Sequence, residues 1–134
     1  MLSSLAASLF AEPEFKMVFV VNKELDMGVG KQCAQVAHAA IGLYNDILTN
    51  DRTGGDNQVK IMQWQSGGAK KIVCRGNNTA HLVSLQEQAN MAQLPNHLVT
   101  DAGHTQIPAG STTVLAIFGS SSQLDKVTGS LRLL

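Results

Sequence analysis

A chain of 134 residues has room for one buried core rather than two, and 44% hydrophobic against 15% charged side chains is the balance of an ordinary globular protein. No apolar run approaches the roughly 20 residues of a bilayer crossing, which excludes a helical membrane protein. Ten basic and ten acidic residues cancel to zero net charge, which argues against broad, non-specific nucleic-acid binding but leaves room for a local basic patch.

Residues 1–14 read as a tail or linker, with Ser-Ser, Ala-Ala and Glu12-Pro13-Glu14, and residues 15–134 as the domain. The segment Met1–Phe10 is apolar and small but lacks a basic start, so a secretory signal is not expected. Cys33 and Cys74 are far apart and form no CxxC, the pattern of two buried free thiols in a reducing, cytoplasmic setting.

Lys16–Asn22 (KMVFVVN) has strand length and composition, and its unbroken apolarity predicts burial on both faces. Lys23–Gly30 is a loop with two glycines. Lys31 to about Leu48 is the clearest helix, with Cys33, Ala37, Ala40, Ile41, Tyr44 and Leu48 expected as its buried stripe and Lys31, Gln35 and His38 on a different face. Asn50–Asn57 is a polar loop, and Gln58–Ser66 a short helix carrying Trp64 that Gly67-Gly68 breaks. Lys71–Arg75 is a second strand. Asn77-Asn78-Thr79 offers caps for a helix with Leu82, Leu85, Ala89 and Ala92 inward, closed by Pro95-Asn96. His97–Thr100 is a third strand, Asp101–Gly110 a polar loop, and Thr112–Phe118 a fourth strand. Ser120–Ser122 can cap a last helix that Gly129 ends. This order predicts an α/β sandwich, a four-stranded mixed sheet with helices on both faces.

Gly28-Val29-Gly30-Lys31 follows a strand and opens a helix, where free backbone N–H groups and the helix dipole attract anions. A lysine there adds positive charge to a positive end, a cost that an anionic ligand or a carboxylate partner would offset. The plain alternative is a surface lysine after a glycine loop. It is not a P-loop, since Gln32 stands where the magnesium-binding hydroxyl would be. His38 and Gln35 lie one turn apart near Lys31, yet a lone histidine is more often packed than catalytic. Asp101-Ala102-Gly103-His104-Thr105-Gln106 sits at a strand end, where α/β folds place their sites. Asp101 is read either as holding a lysine or a water, or as an Asx turn bonding the backbone two residues on. Four scattered histidines without cysteine or carboxylate partners do not read as a zinc site, and no GxSxG elbow is present.

Together, KMVFVVNKELDMGVGKQCAQVAHAAIGLY, DAGHTQIPAGSTTVLAIFG and KVTGSLRLL resemble the type 2 peptidyl-tRNA hydrolases, colinearly over Phe15–Leu134. The resemblance implies a three-layer α/β/α sandwich around a four-stranded mixed sheet, commonly a homodimer, and cytoplasmic hydrolysis of the peptidyl-tRNA ester with no metal or cofactor. It places the family's functional lysine on Lys31, and its loop aspartate and threonine on Asp101 and Thr105. Gly30, Gln35, His38, His104 and Gln106 are then expected to bind substrate. The chain departs from the family at Val29, where a second lysine is common, and at His104, where arginine is common. Both changes remove positive charge.

On that reading Lys31 stabilises negative charge, Asp101 polarises water or holds Lys31, and Thr105 places the water. Lys31 with Lys23, Lys70, Lys71 or Arg75 is expected to form a phosphate track for the acceptor arm. The competing readings are a non-catalytic tRNA or protein adaptor on the same fold, and a regulatory protein acting through its dimer surface. Leu5–Phe10 (LAASLF) loosely resembles the last helix of a ubiquitin-binding module, which would then lie upstream.

Overall fold

The structure is a computed structural model that describes residues 13–103 and 107–134. The tail expected over residues 1–14 is therefore described only at Pro13 and Glu14, and the Leu5–Phe10 reading lies outside the described residues.

Strand β1 (Phe15–Asn22) leads through a short 3-10 turn (Lys23–Leu25) into helix α1 (Val29–Asn50) and then α2 (Asp56–Ser66). Strand β2 (Lys71–Gly76), α3 (Thr79–Met91), β3 (Asn96–Thr100), β4 (Thr112–Ser120) and α4 (Ser121–Thr128) complete the chain. The four strands form one sheet in the order β2-β1-β4-β3, with β1 and β2 parallel and β4 antiparallel to both β1 and β3. The expected three-layer α/β/α arrangement with a mixed sheet is what folds.

Alternation along the two central strands builds a core on each side of the sheet. Met17, Phe19 and Val21 of β1 join Val114, Ala116 and Phe118 of β4 under α1 and α2. Val18 and Val20 join Leu115 and Ile117 under α3 and α4. Met17 to Val21 are fully buried, as the unbroken apolar run predicts. Trp64 anchors α2 by donating its indole N–H to Lys70 O at 2.8 Å and meeting Phe118 edge-on at 5.9 Å.

The caps follow the side-chain chemistry expected of them. Asn78 accepts from His81 N at 2.9 Å to start α3, Ser120 accepts from Gln123 N at 3.3 Å to start α4, and the Gly129 N–H closes α4 on Asp125 O. α3 stops earlier than Pro95 would require, at Met91, with Gln93 in the left-handed region and Leu94 N bonding Ala89 O. Ala92, expected inward, is exposed as a result.

The buried stripe of α1 differs from the expected one. Gln35, Ala39, Leu43 and Ile47 face the sheet, while Cys33, Ala37, Ile41 and Leu48 are exposed. The helix carries small or apolar residues all round, so periodicity alone points to the wrong face, and the true stripe is disguised by a polar Gln35. Cys33 is consequently an exposed thiol rather than a buried one. Cys74 is buried, and that burial raises its thiol pKa against a smaller opposing pull from Lys16.

Candidate active site

β1, β2 and β3 run in one direction, so their C-terminal ends share one end of the sheet, the end where ligands gather in open α/β folds. Asn22 ties that end together. Its amide donates to Thr112 O at 2.9 Å and Thr79 Oγ1 at 3.2 Å, and its oxygen caps the 3-10 turn by accepting from Glu24 N. α1 therefore starts directly above the end of β3.

Lys31, in the first turn of α1, points down and pairs with Asp101 Oδ1 just past β3. The pair is buried, with side-chain exposures of 7% for Lys31 and 2% for Asp101. A lysine near a helix N-terminus is unfavourable by itself, and the carboxylate supplies the compensation. The other carboxylate oxygen, Oδ2, accepts from Gly103 N at 2.8 Å. The two readings of Asp101, lysine partner and Asx turn, are thus both realised by one carboxylate. The backbone fixes it further: Asp101 N donates to Ser111 O, and Asp101 O accepts from Gly110 N. Gly103 makes this turn possible, because its φ is +88° and a Cβ there would lie 2.7 Å from the Ala109 Cβ.

One turn further along α1, Gln35 is 4% exposed and its Oε1 accepts from the Thr113 hydroxyl at 2.6 Å. Thr113 itself is fully buried, 3.3 Å from Val99 O. That bond fixes the orientation of the Gln35 amide. Sequence reading missed Thr113 because it is the second residue of an apolar strand. The signal that could have found it is a hydroxyl at an inward position of a strand buried on both faces.

A cleft of about 480 Å³ opens onto these groups, lined by Lys31, Gln35 and His38 from α1 and by the run 97–102 along β3 and beyond. Gln35 and Asp101 are therefore brought to Lys31 as expected, and His38 stands exposed at the rim. Gly30 lies in the first turn of α1 outside that lining, beside open space in which a Cβ would meet nothing within 4 Å. His104, Thr105 and Gln106 lie outside the described residues.

His97 was not singled out for chemistry, yet it also lines the cleft, held by a 2.7 Å contact from Nδ1 to Asp46 Oδ2 of α1. Gly42 makes room for it, since a Cβ there would sit 2.5 Å from His97 Nε2.

The cations expected in one phosphate track separate into two groups. Lys70 and Lys71 lie where β2 begins, beside Met17, at the far end of the sheet from Asp101. Lys70 is paired there with Glu14 at 2.8 Å, and Lys71 lies over the Trp64 ring. Lys23 and Arg75 stand at the site end, after β1 and at the end of β2. Val29 is 78% exposed at the helix start.

The family model described as "Peptidyl-tRNA hydrolase PTH2" matches residues 15–134. The chain belongs to that family. A "Peptidyl-tRNA hydrolase" of Methanothermobacter thermautotrophicus is 41% identical over 120 residues, covering 89% of this chain and 99% of the archaeal protein. A "Probable peptidyl-tRNA hydrolase 2" of Caenorhabditis elegans is 47% identical over 119 residues, 89% of this chain. The human "Peptidyl-tRNA hydrolase 2, mitochondrial" is 40% identical over 121 residues, 90% of this chain. The chain spans only 36% of the nematode protein and 64% of the human one. Among solved structures, a protein of unknown function from Agrobacterium tumefaciens strain C58 superposes with a TM-score of 0.57 at 11% identity. It covers 90% of this chain and 98% of that one, and the likeness is one of fold alone.

Proposed function

We propose that this member of the family hydrolyses the ester joining a peptide to the terminal ribose of tRNA, and that Lys31 and Asp101 carry the step. The observation that supports it is a buried lysine–carboxylate pair on the floor of an open cleft, at the start of a helix. Fixed positive charge in a water-poor site stabilises an oxyanion far better than it would in bulk water. Water attacks the ester carbonyl and the carbonyl oxygen gains negative charge, which Lys31 and the first turn of α1 face. The intermediate then collapses by breaking the bond to the ribose oxygen, which leaves as a hydroxyl carrying the proton that the attacking water gives up. Asp101 has one oxygen on Lys31 and the other on Gly103 N, which favours holding the lysine over acting as the base. The Gln35 amide, fixed by Thr113, offers a second donor to the substrate. Thr105 is assigned the water on the family resemblance.

The acceptor arm is proposed to lie across the site end of the sheet, contacting Lys23 and Arg75 rather than Lys70 and Lys71. Two further proposals accompany this one. Exposed Ile41, Leu48, Val59 and Met62 on the α1–α2 layer suit a second copy of the chain as their cover. The two free thiols fit a reducing, cytoplasmic setting, and no described helix is long and apolar enough to cross a membrane.

The deciding experiment is release of tRNA from an N-acetyl-aminoacyl-tRNA, with Lys31→Ala alongside. Multiple turnover is expected, falling by roughly a hundredfold or more in the variant, the usual cost of losing one oxyanion donor. A variant within about threefold of wild type, under ~1 kcal/mol, would sink the assignment of Lys31. Folded wild type that binds tRNA without turnover would point to an adaptor instead.

A further inference from the structure

The two edges of the sheet are treated differently. The outer edge of β2 is closed by the chain's own end: Arg75 N donates to Arg132 O at 2.8 Å, Leu134 N to Val73 O at 3.0 Å, and Cys74 bridges Leu133 antiparallel. The outer edge of β3 carries no such cover among the described residues.

Which backbone groups that edge presents follows from the pairing. Phe118 N donates to Pro95 O and Asp101 N to Ser111 O, so the odd-numbered residues of this stretch face β4. Antiparallel ladders alternate, which turns the N–H and C=O of Leu98 and Thr100 outward. The cleft beside them is lined by the continuous run 97–102. Val99 packs into the core under α1, whereas Leu98 packs into the opposite core. A cleft lined by consecutive residues of one strand, whose side chains belong to opposite cores, runs along that strand's edge. It ends at Lys31 and Asp101.

We infer that this edge receives the peptide moiety of the substrate, which adds to β3 as a fifth, parallel strand. The inference rests on the esterase reading above and specifies how that site holds its substrate. An enzyme acting on peptides of any sequence can rely only on the backbone they share, and strand addition recognises backbone. The direction follows from the chemistry. The esterified carboxyl end of the peptide must reach Lys31, and β3 runs toward Asp101, so the two chains run the same way. In a parallel pair, a peptide residue opposite Val99 donates its N–H to Leu98 O and accepts from Thr100 N–H. The next residue of the peptide turns both groups away. The five residues of β3 give an edge of ~16 Å at about 3.3 Å per residue, enough for roughly three or four peptide residues.

The test leaves the enzyme unaltered and changes the substrate. kcat/KM is measured for N-acetyl-aminoacyl-tRNA and for di-, tri-, tetra- and hexapeptidyl-tRNA of one composition, then for tetrapeptidyl-tRNAs N-methylated at one amide at a time. The expected result is a rise of about tenfold or more with length, level beyond four residues, and a loss of that gain at alternate amides only. Robust turnover that ignores both length and N-methylation overturns the strand-addition inference and leaves the esterase standing. A rise with length that no N-methyl group affects also overturns it, since side chains would then carry recognition. Absence of turnover on every substrate removes the esterase reading and this inference together.

Discussion

Two polar side-chain pairs join α1 to the β3 segment, and they differ in burial. Lys31–Asp101, past the end of the strand, has side-chain exposures of 7% and 2%, whereas Asp46–His97, near its start, has 45% and 32%. A solvent-exposed polar contact contributes on the order of 1 kcal/mol or less, so the exposed pair is a clamp of modest strength. The buried pair has given up hydration on both sides. Its attraction must offset that loss, so removing either partner leaves an uncompensated buried charge. Burial, rather than the identity of the partners, sets how much each pair costs to break.

The comparison breaks most sharply if the buried pair is halved. Lys31→Ala and Asp101→Asn should each destabilise the fold by about 3–5 kcal/mol while lowering kcat by roughly a hundredfold or more, read by urea denaturation and by tRNA release. Replacing both with apolar residues, Lys31→Met with Asp101→Leu, should recover much of that stability and none of the activity. Recovery of turnover in the double variant would show that the pair is structural. Gly42→Ala comes next, because its Cβ would meet the His97 ring at 2.5 Å. The ring must leave Asp46, at about 1–3 kcal/mol, a typical cost of overpacking. Halving the exposed pair with Asp46→Asn should cost under about 1 kcal/mol and leave turnover within a few-fold. Val29→Lys, restoring a cation at the exposed helix start, should steepen the salt dependence of tRNA affinity by roughly one unit of slope. Lys71→Ala, at the far end of the sheet, should leave that slope unchanged.

A pH effect belongs to neither pair. Asp51, between α1 and α2, is pushed up by desolvation as the largest single influence, but its carboxylate accepts from the Thr53 hydroxyl and from the backbone N–H groups of Thr53 and Gln58, and together these bonds bring its pKa below the ordinary carboxylate value. A lowered carboxylate stabilises the fold above the unfolded value and loses that contribution as pH falls through the folded one. Asp51→Asn should therefore remove a small part of the acid dependence below about pH 4, seen by following melting temperature with pH.

The strands and their succession along the chain were legible because β1 and β4 carry unbroken apolar runs and the turns are marked by Gly, Pro and Asn, whereas their order within the sheet was not. The pairing of Lys31 with Asp101 was legible in kind: a cation in a first helical turn asks for an anion, and the nearest polar strand end supplied one. The face of α1 was not. Its sheet-facing rungs, Gln35, Ala39, Leu43 and Ile47, open with a polar residue one turn after Lys31, so the site occupies the top of the core stripe and masks it. Such local violations of pattern are expected where function is placed. Thr113 and His97 escaped for a related reason. Each acquires its partner, Gln35 or Asp46, from an element distant in sequence, and neither has a local motif.

The closure of β2 by residues 131–134 bears on how copies of this chain behave toward one another. With that closure in place, the described residues leave only the β3 edge uncovered, and a single such edge can pair two copies but cannot propagate. Removing Leu131–Leu134 would leave an unpaired edge at each side of the same sheet. The β2 edge of one copy could then accept the β3 edge of the next, a head-to-tail contact that no rotation is bound to close. Residues 131–134 act, in that sense, as a stop against filament growth.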